Sequence, residues 1–359
     1  MMNQQRKPLF LFVTCLVMLL SCNQFTSNSS ATAVLTPIRV AVSSPTPTLN
    51  IIPTQSLSTV TLPAAATPII ADEMMARQYL EDLVGQIGAR LPGSAAEAQA
   101  ANYIQNAFTA MGYTVQLQPF TFFTEDDEEF DSTNIIVVKQ GQSPIEIVVG
   151  AHYDSVDDAD GADDNASGVA VLLQVARMVK DVATPYTIRF IAFGAEENDL
   201  DGSHYFVSQM SEAEIENTLN MINLDSLIAG DINYVYGDTG TPESLRDWIL
   251  QKAQAEGFVL EAKAAEDMDE FDGTPCDCAD YDAFQEVGIT FAYFEATNWN
   301  LGDEDGMTQV DPIFGDEGEI RHTRYDTIEY LDETFPGRIE RNLNLYVTLL
   351  YRVLTEFGL

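Results

Sequence analysis

Polar residues of the kind that bind metals gather in one stretch of this chain, Gly150-Ala-His152-Tyr-Asp154-Ser. After an acidic turn it continues as Gly161-Ala-Asp163-Asp164-Asn165-Ala-Ser-Gly168. Further on come the adjacent acids Glu196-Glu197, then Asp225 in Asn-Leu-Asp-Ser, then His322 in Arg321-His-Thr-Arg-Tyr-Asp326-Thr. The chain has three histidines, and two of them belong to this series. Two imidazole nitrogens and three carboxylates suit a borderline divalent ion, and one carboxylate can bridge two such ions. A metal pair about 4 Å apart lowers the pKa of a bound water and clamps both oxygens of a tetrahedral intermediate. A carboxylate left over can then act as general base. Taken singly, each acid is an ordinary capped turn or solvated group. Their joint placement, with a scarce histidine at either extreme, points to a site.

The elements around these residues must position them. Ile145-Glu-Ile-Val-Val149 is an apolar run that predicts a buried strand, and Val169 to Val179 predicts a helix packed on it. The first cluster therefore sits at the carboxyl end of a strand and just before a helix, where open α/β sheets build their sites. Tyr186 to Phe193 is a second buried strand that closes on Glu196-Glu197, and Leu219 to Leu224 is a third that closes on Asp225. Adjacent carboxylates at a strand end are costly in a core and useful at a metal. Earlier, Met74 to Ile87 has helical spacing stopped by Gly88, and a second helix runs from an N-cap at Ser94 to Met111 and Gly112. Tyr113 to Phe123 and Asn134 to Lys139 predict strands joined across the solvated acidic loop Glu125 to Asp131. Glu243 to Gly257 predicts a helix, Ile289 to Phe294 a strand and Pro336 to Phe357 a terminal helix. This alternation predicts an α/β fold: a single twisted sheet, mostly parallel but mixed, sandwiched by helices.

Composition bounds the rest. With 46% hydrophobic residues in 359, the chain can build one large α/β domain with extras. Its net charge of −39, from 56 acids against 17 lysines and arginines, repels phosphate backbones and excludes nucleic acid as a partner. At the amino end, Arg6 and Lys7 precede the apolar run Leu9 to Leu20, which predicts a secretory signal over 1–22. Leu19-Leu20-Ser21-Cys22 resembles the bacterial lipobox, which implies a diacylated Cys22 as mature N-terminus. The run is too short for a transmembrane anchor, which needs about 20 apolar residues. Residues 23–71 are rich in Ser, Thr, Pro and Ala, and predict a disordered tether ahead of a domain over 72–359. The expected location is the cell envelope after export, lipid-anchored to the membrane and otherwise extracellular or periplasmic.

The ordered series carries a resemblance. His-x-Asp-Ser, Gly-Ala-Asp-Asp-Asn-Ala-Ser-Gly, Phe-Gly-Ala-Glu-Glu-x-x-Leu-x-Gly-Ser, Asn-Leu-Asp-Ser and His-Thr-x-x-Asp-Thr together are similar to the M28 family of co-catalytic zinc aminopeptidases. Match and order extend from Arg90-Leu-Pro-Gly-Ser to about Asp332. The resemblance implies a phosphorylase/hydrolase-like zinc exopeptidase fold, two zinc ions per chain, and peptide or protein N-termini as substrate. It implies Asp164 as bridging ligand, His152 and Asp225 on one zinc, and Glu197 and His322 on the other. Asp163 is the neighbouring register for the bridge. Glu196 matches the general acid/base, and Asp154 the acid that fixes the His152 tautomer.

Two positions depart from that pattern. Tyr281, in Ala279-Asp280-Tyr281-Asp282, stands where many relatives have His, and Arg321 stands where some have Tyr. Both are candidates for the oxyanion donor. The loop Phe294-Glu295-Ala-Thr-Asn-Trp-Asn-Leu-Gly-Asp303-Glu-Asp305-Gly resembles that of the isozyme-conversion branch of the family, which trims N-terminal Arg. On that reading Glu295 holds the substrate α-amine, and Asp303 or Asp305 pairs with a guanidinium.

Other features weigh less. His204 falls in a short amphipathic helix as a packing or surface residue. Asp158-Ala-Asp160-Gly-Ala-Asp163 fails as an EF-hand, with Gly at the fourth position and no Glu at the twelfth. Cys276-Asp-Cys278 lacks the second pair of a structural zinc site; the two form a local disulfide or stay reduced. The competing functions are a single-zinc glutaminyl cyclase on the same fold, and a surface binding lipoprotein that has lost catalysis. The intact Asp-Asn-Ala-Ser-Gly context argues against the first and the complete ligand set against the second.

Overall fold

The computed structural model describes residues 75–124, 126–157, 159–237, 244–262, 279–302 and 306–358. The signal, lipobox and tether expectations, Cys22, Cys276, Cys278, Asp303 and Asp305 lie outside the described residues. In chain order the elements are α1 (Ala76–Gln86), α2 (Ala95–Ala110), β1 (Gln116–Phe123), β2 (Glu129–Lys139), β3 (Ser143–His152), α3 (Gly168–Val179) and β4 (Tyr186–Phe193). They continue with α4 (Asp201–Ser208), α5 (Glu212–Asn217), β5 (Thr218–Leu224), β6 (Ile232–Gly237), α6 (Leu245–Glu256), β7 (Glu261–Ala262) and α7 (Tyr281–Glu286). Then come β8 (Phe291–Thr297), α8 (Ile328–Thr334) and α9 (Arg338–Glu356).

One sheet holds all eight of these strands, in the order β1-β2-β4-β3-β5-β8-β6-β7. Its centre, β4-β3-β5-β8, is parallel; β1, β2 and β6 pair antiparallel with their neighbours β2, β4 and β8. The strand runs are continuously apolar because both faces are covered. Ile147 and Val149 of β3 pack with α1, α2, α3 and α9, while Val148 between them faces the opposite cluster with Phe206 of α4 and Phe284 of α7. Within the described residues no helix is long and apolar enough to cross a membrane.

The helix start at Ser94 and the stops at Gly88 and Gly112 are where the sequence places them. Ser94 accepts from Glu97 N at the start of α2, and Gly88 and Gly112 take positive φ just beyond α1 and α2. Three differences matter. Strand β2 begins at Glu129 rather than Asn134, because its exposed acidic start pairs with β1 across the hairpin. Strand β8 is shifted toward its carboxyl end and includes Glu295, which is buried. Strand β6, absent from the sequence reading, pairs with β8 through Tyr234 and Tyr236, whose period-two spacing is short and polar-edged.

Candidate active site

Parallel strands present their carboxyl ends on one edge, and the three central ones carry the acidic motifs there. His152 is the last residue of β3 and pairs with Phe193, the last of β4, so Glu196-Glu197 follow directly beside it. Asp225 follows β5 on the other side of β3, where Gly150 pairs with Asn223. His322 comes from the loop between β8 and α8. The backbone bends sharply at all these points. Ala195, Ser226 and His322 hold φ of +53°, +50° and +59°, conformations that cost a non-glycine residue roughly 1–2 kcal/mol.

Asp164 lies between the two imidazoles, with Oδ1 3.1 Å from His152 Nε2 and Oδ2 3.0 Å from His322 Nε2. His152 Nε2 is also 3.5 Å from Asp225 and 3.7 Å from Glu196, and His322 Nε2 is 3.2 Å from Glu197. Potential ligand atoms of His152, Asp164 and Asp225 lie within 4.8 Å of one another, as do those of Asp164, Glu197 and His322. Asp163 turns away: its carboxylate accepts from Ile228 N, Ala229 N and Gln309 Nε2. The Asp164–Asn165 peptide bond is cis.

Several groups that hold this cluster escaped the sequence reading. Asp326, four residues past His322, accepts from Asp163 N at 2.6 Å and Asp164 N at 3.1 Å. Arg90 opens the turn Arg90-Leu-Pro-Gly-Ser. It is fully buried and donates to the carbonyls of Tyr153, Gly88, Asp160 and Gly161, so it clamps the loop between Asp154 and Asp164. Gly161 must be glycine here, since its φ is +62° and a Cβ would fall 2.6 Å from the Arg90 guanidinium. Asp154 does two things. One oxygen faces His152 Nδ1 at 3.6 Å, and the other accepts from Glu197 N at 3.0 Å.

The residues expected to touch substrate fare differently. Glu295 is only 3% exposed, and its oxygens are taken by Arg321 Nη1 at 2.7 Å and by the Tyr236 hydroxyl at 2.5 Å. It is thus the counter-ion of Arg321, not a free carboxylate for a substrate amine, and that expectation is corrected. Arg321 also donates to the Gly306 carbonyl, and Asp164 lies close enough to act on its charge. Tyr281 stacks on Phe291 with ring centroids 4.1 Å apart inside an apolar cluster. His204 lies 3.8 Å from Glu286, away from the site.

The site is a dense collection of buried charge. Burial and the charge of Asp164 push Glu197 up to about 7, and burial pushes Asp280 up to about 7. Glu196 is raised well above the carboxylate range, by burial and by Glu197, Asp225 and Asp280, against the pull of His152. Hydrogen bonds to Asp164 and Glu197 raise His322 to about 11. Burial opposes charge on His152, yet Glu196, Asp225, Asp154 and Asp164 together hold its imidazolium well above the usual range. For Asp164 burial works the other way, and the two histidines overcome it to keep the carboxylate ionised. Glu197 Oε1 is buried without a hydrogen-bond partner, and the nitrogen and oxygen donor set suits zinc. The residues present fit divalent metal.

A pH prediction follows from these directions. A carboxyl raised in the folded state binds a proton that the unfolded chain has released, so its contribution to stability falls as pH rises from about 4.5 through 7. A histidine raised in the folded state contributes fully below about 6.5 and loses that contribution as pH rises toward 11. Asp164 acts oppositely, but only below about 4. The metal-free protein is therefore expected to melt at lower temperature as pH goes from about 5 to 8. The zinc-loaded protein should change the other way, since ligands must shed protons to bind metal. Thermal melts with chelator and with zinc check this; a melting temperature of the stripped protein that climbs over that range contradicts it.

Comparison with known proteins adds independent findings. The model of the family described as Peptidase family M28 matches residues 134–347. The alkaline phosphatase isozyme conversion protein of Escherichia coli is 33% identical over 297 residues, 75% of this chain and 86% of that protein. Aminopeptidase YwaD of Bacillus subtilis is 32% identical over 248 residues, 68% of this chain but only 48% of its own length. Among solved structures, a zinc aminopeptidase from Bacillus subtilis superposes with a TM-score of 0.61 at 21% identity, covering 79% of this chain and 95% of that one. A glutaminyl cyclase from Porphyromonas gingivalis gives 0.60 at 22%, over 79% and 99%. At those identities both structures speak for the fold alone.

Proposed function

Since the chain belongs to peptidase family M28, we propose that it is a zinc-dependent aminopeptidase with two ions, hydrolysing the N-terminal bond of peptides. The observation that carries this is Asp164, whose two oxygens each meet a different histidine within hydrogen-bond distance, each histidine backed by its own second acid. His152, Asp164 and Asp225 would hold one ion, and Asp164, Glu197 and His322 the other. When bound, the pair supplies a water of lowered pKa and positive charge for the oxygens of the tetrahedral species.

The chain's own residues do the rest. Glu196 takes a proton from the attacking water and returns it to the departing amine nitrogen, which leaves as the free amino group of the shortened peptide. Asp154 faces His152 Nδ1 at 3.6 Å, from where it would favour one tautomer of the metal-holding imidazole, and ties the Glu197 backbone to the same carboxylate. Arg321, oriented by Glu295, is the candidate donor to the developing oxyanion. A single-ion cyclase would leave one of the two acid–histidine groups without a cation, which favours the aminopeptidase.

We further infer a preference for N-terminal Arg or Lys. The loop that resembles the isozyme-conversion branch carries Asp303 and Asp305, and Gly306 at its end is bonded to Arg321 beside His322. A desolvated bidentate contact supports roughly a hundredfold discrimination. Arg and Lys aminoacyl-amides should therefore exceed Leu and Ala in kcat/KM. Leu equal to Arg removes the preference, and so does an Arg preference unchanged in D303N and D305N.

Export and anchoring belong to the same proposal, supported by the apolar run and Leu-Leu-Ser-Cys22. Stable attachment needs more than one acyl chain, so mass spectrometry should find a multiply acylated Cys22. A Cys22→Ala protein still bound to membranes counts against it.

A further inference from the structure

The turn that carries Glu196 leaves β4 through Gly194 and Ala195, and side chains from distant segments receive its backbone N–H groups. Gly194 N donates to Asn134 of β2 at 3.2 Å, Ala195 N to Glu97 of α2 at 3.1 Å, and Glu197 N to Asp154. Gly194 leaves no room to shift: a Cβ there would lie 2.2 Å from Ser132 Oγ and 2.9 Å from Glu97 Oε1. Ala195 holds positive φ without being glycine, so the turn needs outside support.

Glu97 supplies much of it. It is the third residue of α2, where a glutamate ordinarily caps its own helix. Here the side chain is 2% exposed and turned across the fold. One oxygen accepts from Ser132 Oγ at 2.5 Å and Ala195 N, the other from Gly93 N at 2.7 Å. Burying a carboxylate for a cap alone is costly; this one joins α2 to β2 and to the turn that ends at Glu196. An open cavity of about 240 Å³, lined by Gly93, Ser94, Ser132, Thr133 and Tyr153, reaches Glu97 from outside.

We propose that Glu97 is a positioning residue for the reaction: through the Ala195 N–H it sets the turn that aims the Glu196 carboxylate. The inference rests on the aminopeptidase reading above. Misplacing a reacting group by about 1 Å can cost around 10²-fold.

The test uses the full chain loaded with zinc. Glu97→Met fills the same space without an acceptor, and Glu97→Gln keeps one for Ala195 and Ser132 while turning its N–H₂ toward the Gly93 N–H. The Met variant should lose about 10–100-fold in kcat, with KM and zinc content nearly unchanged, while the Gln variant recovers part of the loss. Placed on Glu196→Gln, the Met change should add almost nothing, because the two act as a unit. Wild-type kcat in the Met variant overturns the proposal. So does a loss matched by lost zinc, or a Gln variant as impaired as Met. Should the Met variant not fold, Glu97→Ala is assayed with acetate, which the cavity admits: recovery of kcat supports the proposal and no recovery overturns it. A wild type without metal-dependent turnover would instead remove the aminopeptidase reading itself.

Discussion

Replacing Glu196 by Gln should lower kcat by roughly 10²–10⁴-fold, the range for loss of a general acid/base, and leave metal content unchanged. Glu196 is the member of the acidic pair that does not reach His322; its oxygen stands 3.7 Å from His152 Nε2, whereas Glu197 lies 3.2 Å from His322. The amide has nearly the same shape, and the turn that bears it is held through backbone N–H groups, so fold and ligands should stay in place. What is lost is the capacity to take a proton and return it. Retention of more than about a tenth of kcat would remove Glu196 from this role, because loss of a general acid/base leaves no more than about a hundredth. A fall in zinc matching the fall in kcat would make it a ligand instead.

Asp164→Asn should be at least as severe and differ in kind. Asp164 faces both histidines, and its charge is the one that both imidazoles favour. An amide presents one oxygen and one N–H₂, so it cannot serve two cations. Turnover should fall by about 10²–10³-fold or more, the scale of removing one preorganised electrostatic contact, and metal content should fall with it. Asp163→Asn, one residue away, tests the specificity of that assignment. Its carboxylate serves Ile228, Ala229 and Gln309 rather than the histidines, so its main cost should be stability. The reverse pattern, with metal lost in D163N and kept in D164N, would exchange the two residues.

Much of this arrangement was legible because the informative residues are local. Buried parallel strands are plain apolar runs, and each ends in a short acidic motif that a core would not tolerate. The supports were not legible, and the reason is distance along the chain. Arg90 clamps carbonyls 63 to 71 residues away, Asp326 reaches back 162 to 163 residues, and Glu97 meets Ala195 across 98. Each is an ordinary residue in its own segment, and only the fold brings it to the site. Glu295 shows the converse. Its place before an acidic loop suggested a carboxylate that holds the substrate α-amine, but β8 continues through it and buries it against Tyr236 and Arg321. Signals existed for Asp326, four residues past His322 in the same motif, and for Arg90, an arginine in an otherwise apolar turn.

The central claim is that two ions, bridged by Asp164, drive peptide hydrolysis. Its most direct test strips the full-length protein with chelator and titrates zinc back, following hydrolysis of an aminoacyl-amide and bound metal together. Activity should vanish on stripping and return fully only as zinc approaches two per chain. Turnover that survives complete removal of metal, or that is complete at one zinc per chain, would contradict the account.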